Sequence, residues 1–326
     1  MRRPLTIVTY HYVRDLEHSR YPNIRGLAAA DFARQVSYLK RHYTIIGGHD
    51  LITAVTDGVA LPANALLLTF DDGYADHYTE VFPVLDREGI SGCFFPPARC
   101  VVDHVVLDVN KIHFVLACTP DARLLVEYVS AQIAQNESRL GLETAGEYWN
   151  RLAVADRYDS AEIVFVKRML QRELPLELRA SIIDELFRRY VSTDEASFAR
   201  ELYMTADQLR VLCRHGMYVG SHGYDHFWLN RLSRTDQEAE IDRSLTFLSS
   251  VGAGVGPWIM CYPYGAYNDT LLEVLRSRNC AVALTTEVDI ADLAMHSPLT
   301  LPRLDTNDFP KIADAEPSTW TMKIGG

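Results

Sequence analysis

Hydrophobic and polar positions fall into a strand–helix rhythm in two stretches of the chain, with a helical block between them. Leu5 to Tyr10 is a short apolar strand that ends in the polar cluster Tyr10-His11-Tyr12. Asp31 caps a helical pattern that puts Phe32, Val36 and Leu39 on one face. Ala65 to Phe70 is continuously apolar, as a parallel strand buried on both faces requires, and it stops at Asp71-Asp72-Gly73. The pattern then predicts a helix from Ala75 to Glu88 closed by Gly89, and a strand from Ile90 to Phe95.

From residue 101 to 204 the character changes. KIHFVLA, RLLVEYVSAQIA, IVFVKRMLQREL and LRASIIDELFRRYV all carry helical periodicity. Alternation resumes with a capping-box pattern at Thr205 and Gln208, opening a helix that ends before Gly216. Strands follow at Met217–Gly220, Trp258–Cys261 and Ala281–Leu284, with helices after Ser233 and over Asn268–Asn279. This order predicts an α/β fold with a parallel sheet and crossover helices, built from residues 1–100 and 205–310. Residues 101–204 read as a helical insertion, and 311–326, with Pro317 and the closing Gly325-Gly326, as a tail.

Composition changes this picture little. The 326 residues are 48% hydrophobic and 23% charged, ordinary for a well-cored globular chain. A formal charge of -11 argues against a nucleic-acid binder, which needs a basic face. No run approaches the roughly 18 apolar residues of a membrane span, and the start lacks the pattern of a secretory signal. The six cysteines (Cys93, Cys100, Cys118, Cys213, Cys261, Cys280) are scattered without a C-x-x-C pair, which fits reduced thiols. A cytoplasmic location is the expectation.

Three segments carry candidate chemistry, each directly after a strand. Thr69-Phe70-Asp71-Asp72-Gly73-Tyr74 sets two adjacent carboxylates at a strand end, where parallel α/β folds build their sites. Like charges so close favour a nearby cation, although Asp-Gly is also an ordinary turn. Gly220-Ser221-His222-Gly223-Tyr224-Asp225-His226 offers two imidazoles four residues apart. With one carboxylate they make a mixed metal-ligand set that leaves positions open for water and substrate. Tyr262-Pro263-Tyr264-Gly265 is either a plain Pro-Gly loop or a rigid turn aiming a backbone N–H at a developing oxyanion.

TFDDGY, SHGYDH and YPYGAYN, in this order, resemble the polysaccharide deacetylase family (carbohydrate esterase family 4, NodB homology). The resemblance covers roughly residues 1–100 and 205–305. It implies a distorted (β/α) barrel with fewer than eight parallel strands. It also implies a metal-dependent removal of an acetyl or formyl group from a sugar nitrogen. Asp72, His222 and His226 would hold one divalent ion, zinc foremost. Asp71 would be the base that deprotonates water, and the Tyr264 amide would stabilise the oxyanion.

The departures are specific. Gly223 stands where the family often has Ser or Thr. Cys261 stands where it often has an arginine that contacts the base, and Arg303 is a candidate replacement or else a salt bridge elsewhere. The family's late general-acid histidine has no clear counterpart; His296 is nearest by order, and His11 is read as a core histidine near the pocket. The expected substrate is an N-acylated sugar, nucleotide- or lipid-linked, that is a precursor of a cell-surface polysaccharide. The insertion is expected to be a lid, a recognition unit or a homodimer contact. Alternatives are hydrolysis of another linear or cyclic amide, and an inactive carbohydrate-binding module.

Overall fold

A computed structural model describes residues 3–156, 159–254 and 256–324. The chain divides into an α/β unit (1–15, 26–105 and 199–326) and a helical unit (16–25 and 106–198). The strands of the α/β unit are β1 (Pro4–Tyr10), β2 (Val13–Arg14), β3 (Leu27–Ala28), β4 (Thr44–Ile46), β5 (Ala65–Asp71) and β6 (Cys93–Phe95). The later ones are β7 (Tyr218–Val219), β8 (Trp258–Cys261), β9 (Cys280–Leu284), β10 (Ala291–Asp292) and β11 (Leu304–Asp305).

β1, β5, β6 and β7 form a parallel run, with β11 parallel on the other edge of β1. β8 and β9 pair separately in parallel. Two single bridges, Ser221 to Met260 and Leu284 to Leu301, join that pair to the run on either side. The ring therefore closes as a barrel of fewer than eight parallel strands, with β10 antiparallel against the start of β1.

Alternate residues point inward. Leu5 and Ile7 of β1, Ala65 and Leu67 of β5, Cys93 and Phe95 of β6, Ile259 and Cys261 of β8, and Val282 and Leu284 of β9 share one buried core. The columns of β1 and β5 turn polar toward the C-terminal ends of their strands, at Thr9 and at Thr69 and Asp71. The core thus fills the barrel from below and leaves the upper mouth for chemistry.

Helices α1 (Ala29–His42), α2 (Gly48–Thr56), α3 (Phe82–Glu88) and α4 (Ala98–Val102) lie in the first part of this unit. In the helical unit come α5 (Asp108–Cys118), α6 (Ala122–Leu140), α7 (Ala145–Leu152), α8 (Ala161–Arg168) and α9 (Leu176–Tyr190). α10 (Glu195–Leu202) leads out of that unit, and α11 (Ala206–Arg214), α12 (Arg234–Ser250), α13 (Asp269–Ser277) and α14 (Thr319–Ile324) complete the chain. The helical unit has its own aromatic core. Phe198 meets Phe114 at 4.9 Å and Phe187 at 5.1 Å, and Tyr21 joins Phe114 at 5.0 Å. Leu16–Arg25, assigned from sequence to the α/β part, belongs to this unit.

Two local expectations are corrected and a third is refined. The helix expected over Ala75–Glu88 forms, and it widens over His77–Val81. Pro83, which has no N–H to donate, sits at the start of the regular helix that follows. Ile90 does not begin a strand: its N–H caps α3 by donating to the Leu85 carbonyl at 3.0 Å, after Gly89 at φ 65°. The tail is not loose, because Thr321 Oγ1 lies 2.8 Å from the Tyr38 hydroxyl and accepts from Tyr43 at 3.0 Å. The expected Gly325-Gly326 terminus lies outside the described residues.

Gly220 is required where the end of β7 runs between β6 and β8. A Cβ there would stand 2.6 Å from the Phe95 ring and 2.7 Å from the Ile259 carbonyl oxygen. Gly220→Ala should therefore cost about 1–3 kcal/mol in urea unfolding, as overpacking does. A midpoint equal to the wild type's would show that the barrel wall yields there.

Candidate active site

The chemistry collects where the barrel strands end. Asp71 is the last residue of β5 and points inward. The backbone then turns sharply: Asp72 has φ 71° and Gly73 φ 68°. At Gly73 only glycine fits, since a Cβ would lie 2.7 Å from that of Pro96. This turn swings the two neighbouring carboxylates into different surroundings.

His222 follows Ser221, whose backbone is tied to β8 on both sides, by Ser221 N to Ile259 O at 3.2 Å and Cys261 N to Ser221 O at 2.8 Å. The His222 Nδ1–H donates to the Cys261 carbonyl at 2.7 Å, which leaves Nε2 facing Asp72. The loop to His226 is pinned from α12, where Glu240 accepts the N–H groups of Tyr224 and Asp225, both at 3.0 Å. It is pinned again from α4, where Arg99 donates to Asp225 at 2.8 Å. Burial foremost, and then the charge of Asp225, pushes the Glu240 carboxyl up to about 7.

Asp72 Oδ1 lies 3.5 Å from His222 Nε2 and 3.4 Å from His226 Nε2. All three residues are buried, and among the described residues Asp72 Oδ1 has no hydrogen-bond partner. Two ligand atoms about 2.1 Å from one ion at a tetrahedral angle stand roughly 3.4 Å apart. The three atoms therefore fit one divalent metal, in spacing and in chemistry. Asp71, His222 and Cys261 also lie close together. That set shares His222 with the first, and Asp71 already has a cation, so it is the weaker site.

The cation on Asp71 is Arg303. Its Nη2 lies 2.8 Å from Oδ2 and its Nη1 3.0 Å from Oδ1. Nε donates to the Thr285 carbonyl at 2.9 Å, and Nη1 also reaches Thr69 Oγ1 at 3.2 Å. The Cys261 S–H lies 3.3 Å from Asp71 Oδ1. Arg303 thus supplies, from the segment before β11, the contact missing at Cys261. Burial opposes the charge on Asp71, but Arg303, His222 and His11 together hold its carboxyl well below the usual range.

The acid candidate His296 and the expected core histidine His11 are both placed differently from expectation. His296 is not at the site. Its Nδ1 accepts the Asp292 N–H, and Asp292 pairs with Pro4 at the start of β1. Tyr10 at the other end of β1 pairs with Phe70, so about 20 Å of strand separates the two ends. His11 is no core histidine: its side chain is 48% exposed and its Nε2 lies 3.9 Å from Asp71 Oδ2. His77 holds the His11 carbonyl at 2.7 Å. The position of His11 directly after β1, like that of the other site residues after their strands, was the available signal.

Tyr264 sits in the turn Pro263–Gly265 at φ 58°. Its ring meets His226 edge-on at 4.8 Å and stacks on Trp228 at 4.5 Å. Sequence reasoning missed Trp228, which no spacing rule singles out.

The polysaccharide deacetylase family model matches residues 58–139 and 184–283, more than half of the chain. The chain belongs to the polysaccharide deacetylase family. The match runs into both ends of the helical unit. YxkH of Bacillus subtilis (strain 168), which carries a polysaccharide deacetylase name, is 28% identical over 91 residues. That match spans 28% of this chain and only 32% of the relative's length. Among solved structures, the Streptococcus pyogenes deacetylase PplD in complex with acetate is similar at TM-score 0.58 and 15% identity, over 94% of this chain and 93% of its own. IcaB from Ammonifex degensii gives TM-score 0.55 and 17% identity, over 99% and 96%. At these identities the structures establish the fold, the barrel of this deacetylase family.

Arg303 yields a test of charge within the family site. Arg303→Met leaves the buried Asp71 without its cation and should cost about 3–5 kcal/mol at neutral pH. Because the folded Asp71 carboxyl is depressed, its share of stability is present above the ordinary aspartate range and lost as pH falls below it. The gap between wild type and variant in urea unfolding should thus narrow from pH 7 to pH 3. A gap independent of pH would mean that Arg303 acts by packing alone.

Proposed function

We propose that this chain hydrolyses the N-acyl group of a sugar, acetyl or formyl, with one divalent metal held by Asp72, His222 and His226. The observation that carries the reading is the buried, unpartnered Asp72 Oδ1 facing two imidazole nitrogens, beside a second carboxylate that Arg303 keeps charged. Family membership supports a carbohydrate substrate. Zinc is the ion that suits this oxygen and nitrogen set best.

When bound, such a metal supplies a Lewis acid that makes water nucleophilic near neutral pH and polarises the amide carbonyl. Asp71 receives the proton of the attacking water on a carboxylate that Arg303 orients. The Tyr264 N–H opposes the charge that develops on the carbonyl oxygen. His11, half exposed and 3.9 Å from Asp71, would protonate the departing amine. The substrate we favour is a nucleotide- or lipid-linked N-acyl sugar rather than a finished polymer.

Two measurements test this. Acetate or formate release from a panel of N-acyl nucleotide sugars should require added divalent metal. Turnover of linear or cyclic amides with none of these sugars would move the reading to another amidase. Elemental analysis should find metal in wild type and little in His222→Ala. Asp71→Asn should keep the metal while losing at least ~10²-fold in turnover; loss of the metal would make Asp71 a ligand.

A further inference from the structure

The two oxygens of Asp72 have different surroundings. Oδ1 is the buried atom without a hydrogen bond that faces His222 and His226. Oδ2 accepts the O–H of Tyr74 at 2.5 Å. Tyr74 is wholly buried, and its ring stacks on Tyr12 at 4.1 Å with a 19° tilt. On another side the ring meets His77 at 5.5 Å. The backbone is fixed as well: Met204 N donates to the Gly73 carbonyl at 2.9 Å, and Tyr74 bridges to Tyr203. The hydroxyl is therefore held in place independently of any metal.

We propose that Tyr74 is a positioning residue that makes Asp72 a one-oxygen ligand. The terminal torsion of an aspartate is soft, so an unrestrained carboxylate can turn both oxygens toward an ion. The Tyr74 hydroxyl engages Oδ2 and leaves Oδ1 alone in line with the two imidazoles. The coordination positions that a second oxygen would fill then stay open to water and to the acyl oxygen. This inference rests on the metal-dependent reading above and adds to it a residue two places beyond the ligand.

The test uses Tyr74→Phe, which keeps the ring and its stack on Tyr12 and removes only the O–H. Metal-free wild type and variant, matched in circular dichroism, are titrated with Zn²⁺ against a chromophoric chelator and then loaded with Co²⁺. Loss of an outer hydrogen bond to a ligand should weaken Zn²⁺ binding by about 10–100-fold. The Co²⁺ absorption bands should shift and weaken as Asp72 becomes a two-oxygen ligand. Unchanged affinity together with an unchanged spectrum would reduce Tyr74 to a packing residue and overturn the proposal. A wild type that binds neither ion would instead sink the metal-dependent function.

Discussion

Two adjacent carboxylates buried at the end of one strand are the constraint around which this site is arranged. Neither can be left in a low-dielectric interior without a partner, and they cannot share one without losing their separate roles. The left-handed turn at Asp72 and Gly73 separates them. Asp71 is given to a guanidinium, and Asp72 to a phenol on one oxygen and to two imidazoles across the other. The same two amino acids in a plain strand would repel one another; here each has a distinct electrostatic surrounding.

The barrel makes that separation possible. Parallel strands deliver all their C-terminal ends to one rim, so residues far apart in the chain arrive within hydrogen-bonding distance. Asp71 leaves β5, His222 follows β7, Cys261 ends β8 and Arg303 precedes β11. Apolar columns below them supply rigidity, and Thr9 and Thr69 mark where the columns of β1 and β5 give way to the site. The loop of His222 to His226 is irregular, yet Glu240 of α12 and Arg99 of α4 both bind it.

How far the sequence revealed this depended on whether a residue's partners were local. Strands such as β5 could be read because burial on both faces forces a continuous apolar run, as in Ala65–Phe70, whereas the short β4 and β11 carry no such run. Asp72, His222 and His226 could be singled out because each follows a strand directly and is of ligating type. Arg303 could not be assigned, because its partner is 232 residues away and only the closed ring brings them together. His296 misled because order along the chain was taken for position in the barrel, whereas its segment returns to the bottom of β1. His11 was underrated because exposure at a rim is not written in the residues beside it. The wide turn at His77–Val81 was hidden for a simpler reason: Pro83 marks a disturbed helix without stating its form.

Arg303 and Cys261 both contact the same oxygen of one carboxylate, Asp71 Oδ1, and this couples the two positions. A cation at either position satisfies Asp71, but both together would crowd a second, unpaired charge into a dry pocket, and neither would leave the aspartate bare. Cys261→Arg in the present chain would thus be harmful although arginine suits that motif elsewhere in the family, and Arg303→Met would be harmful although Cys261 remains. Either substitution would be better tolerated with the other already in place, because one carboxylate has room for one guanidinium.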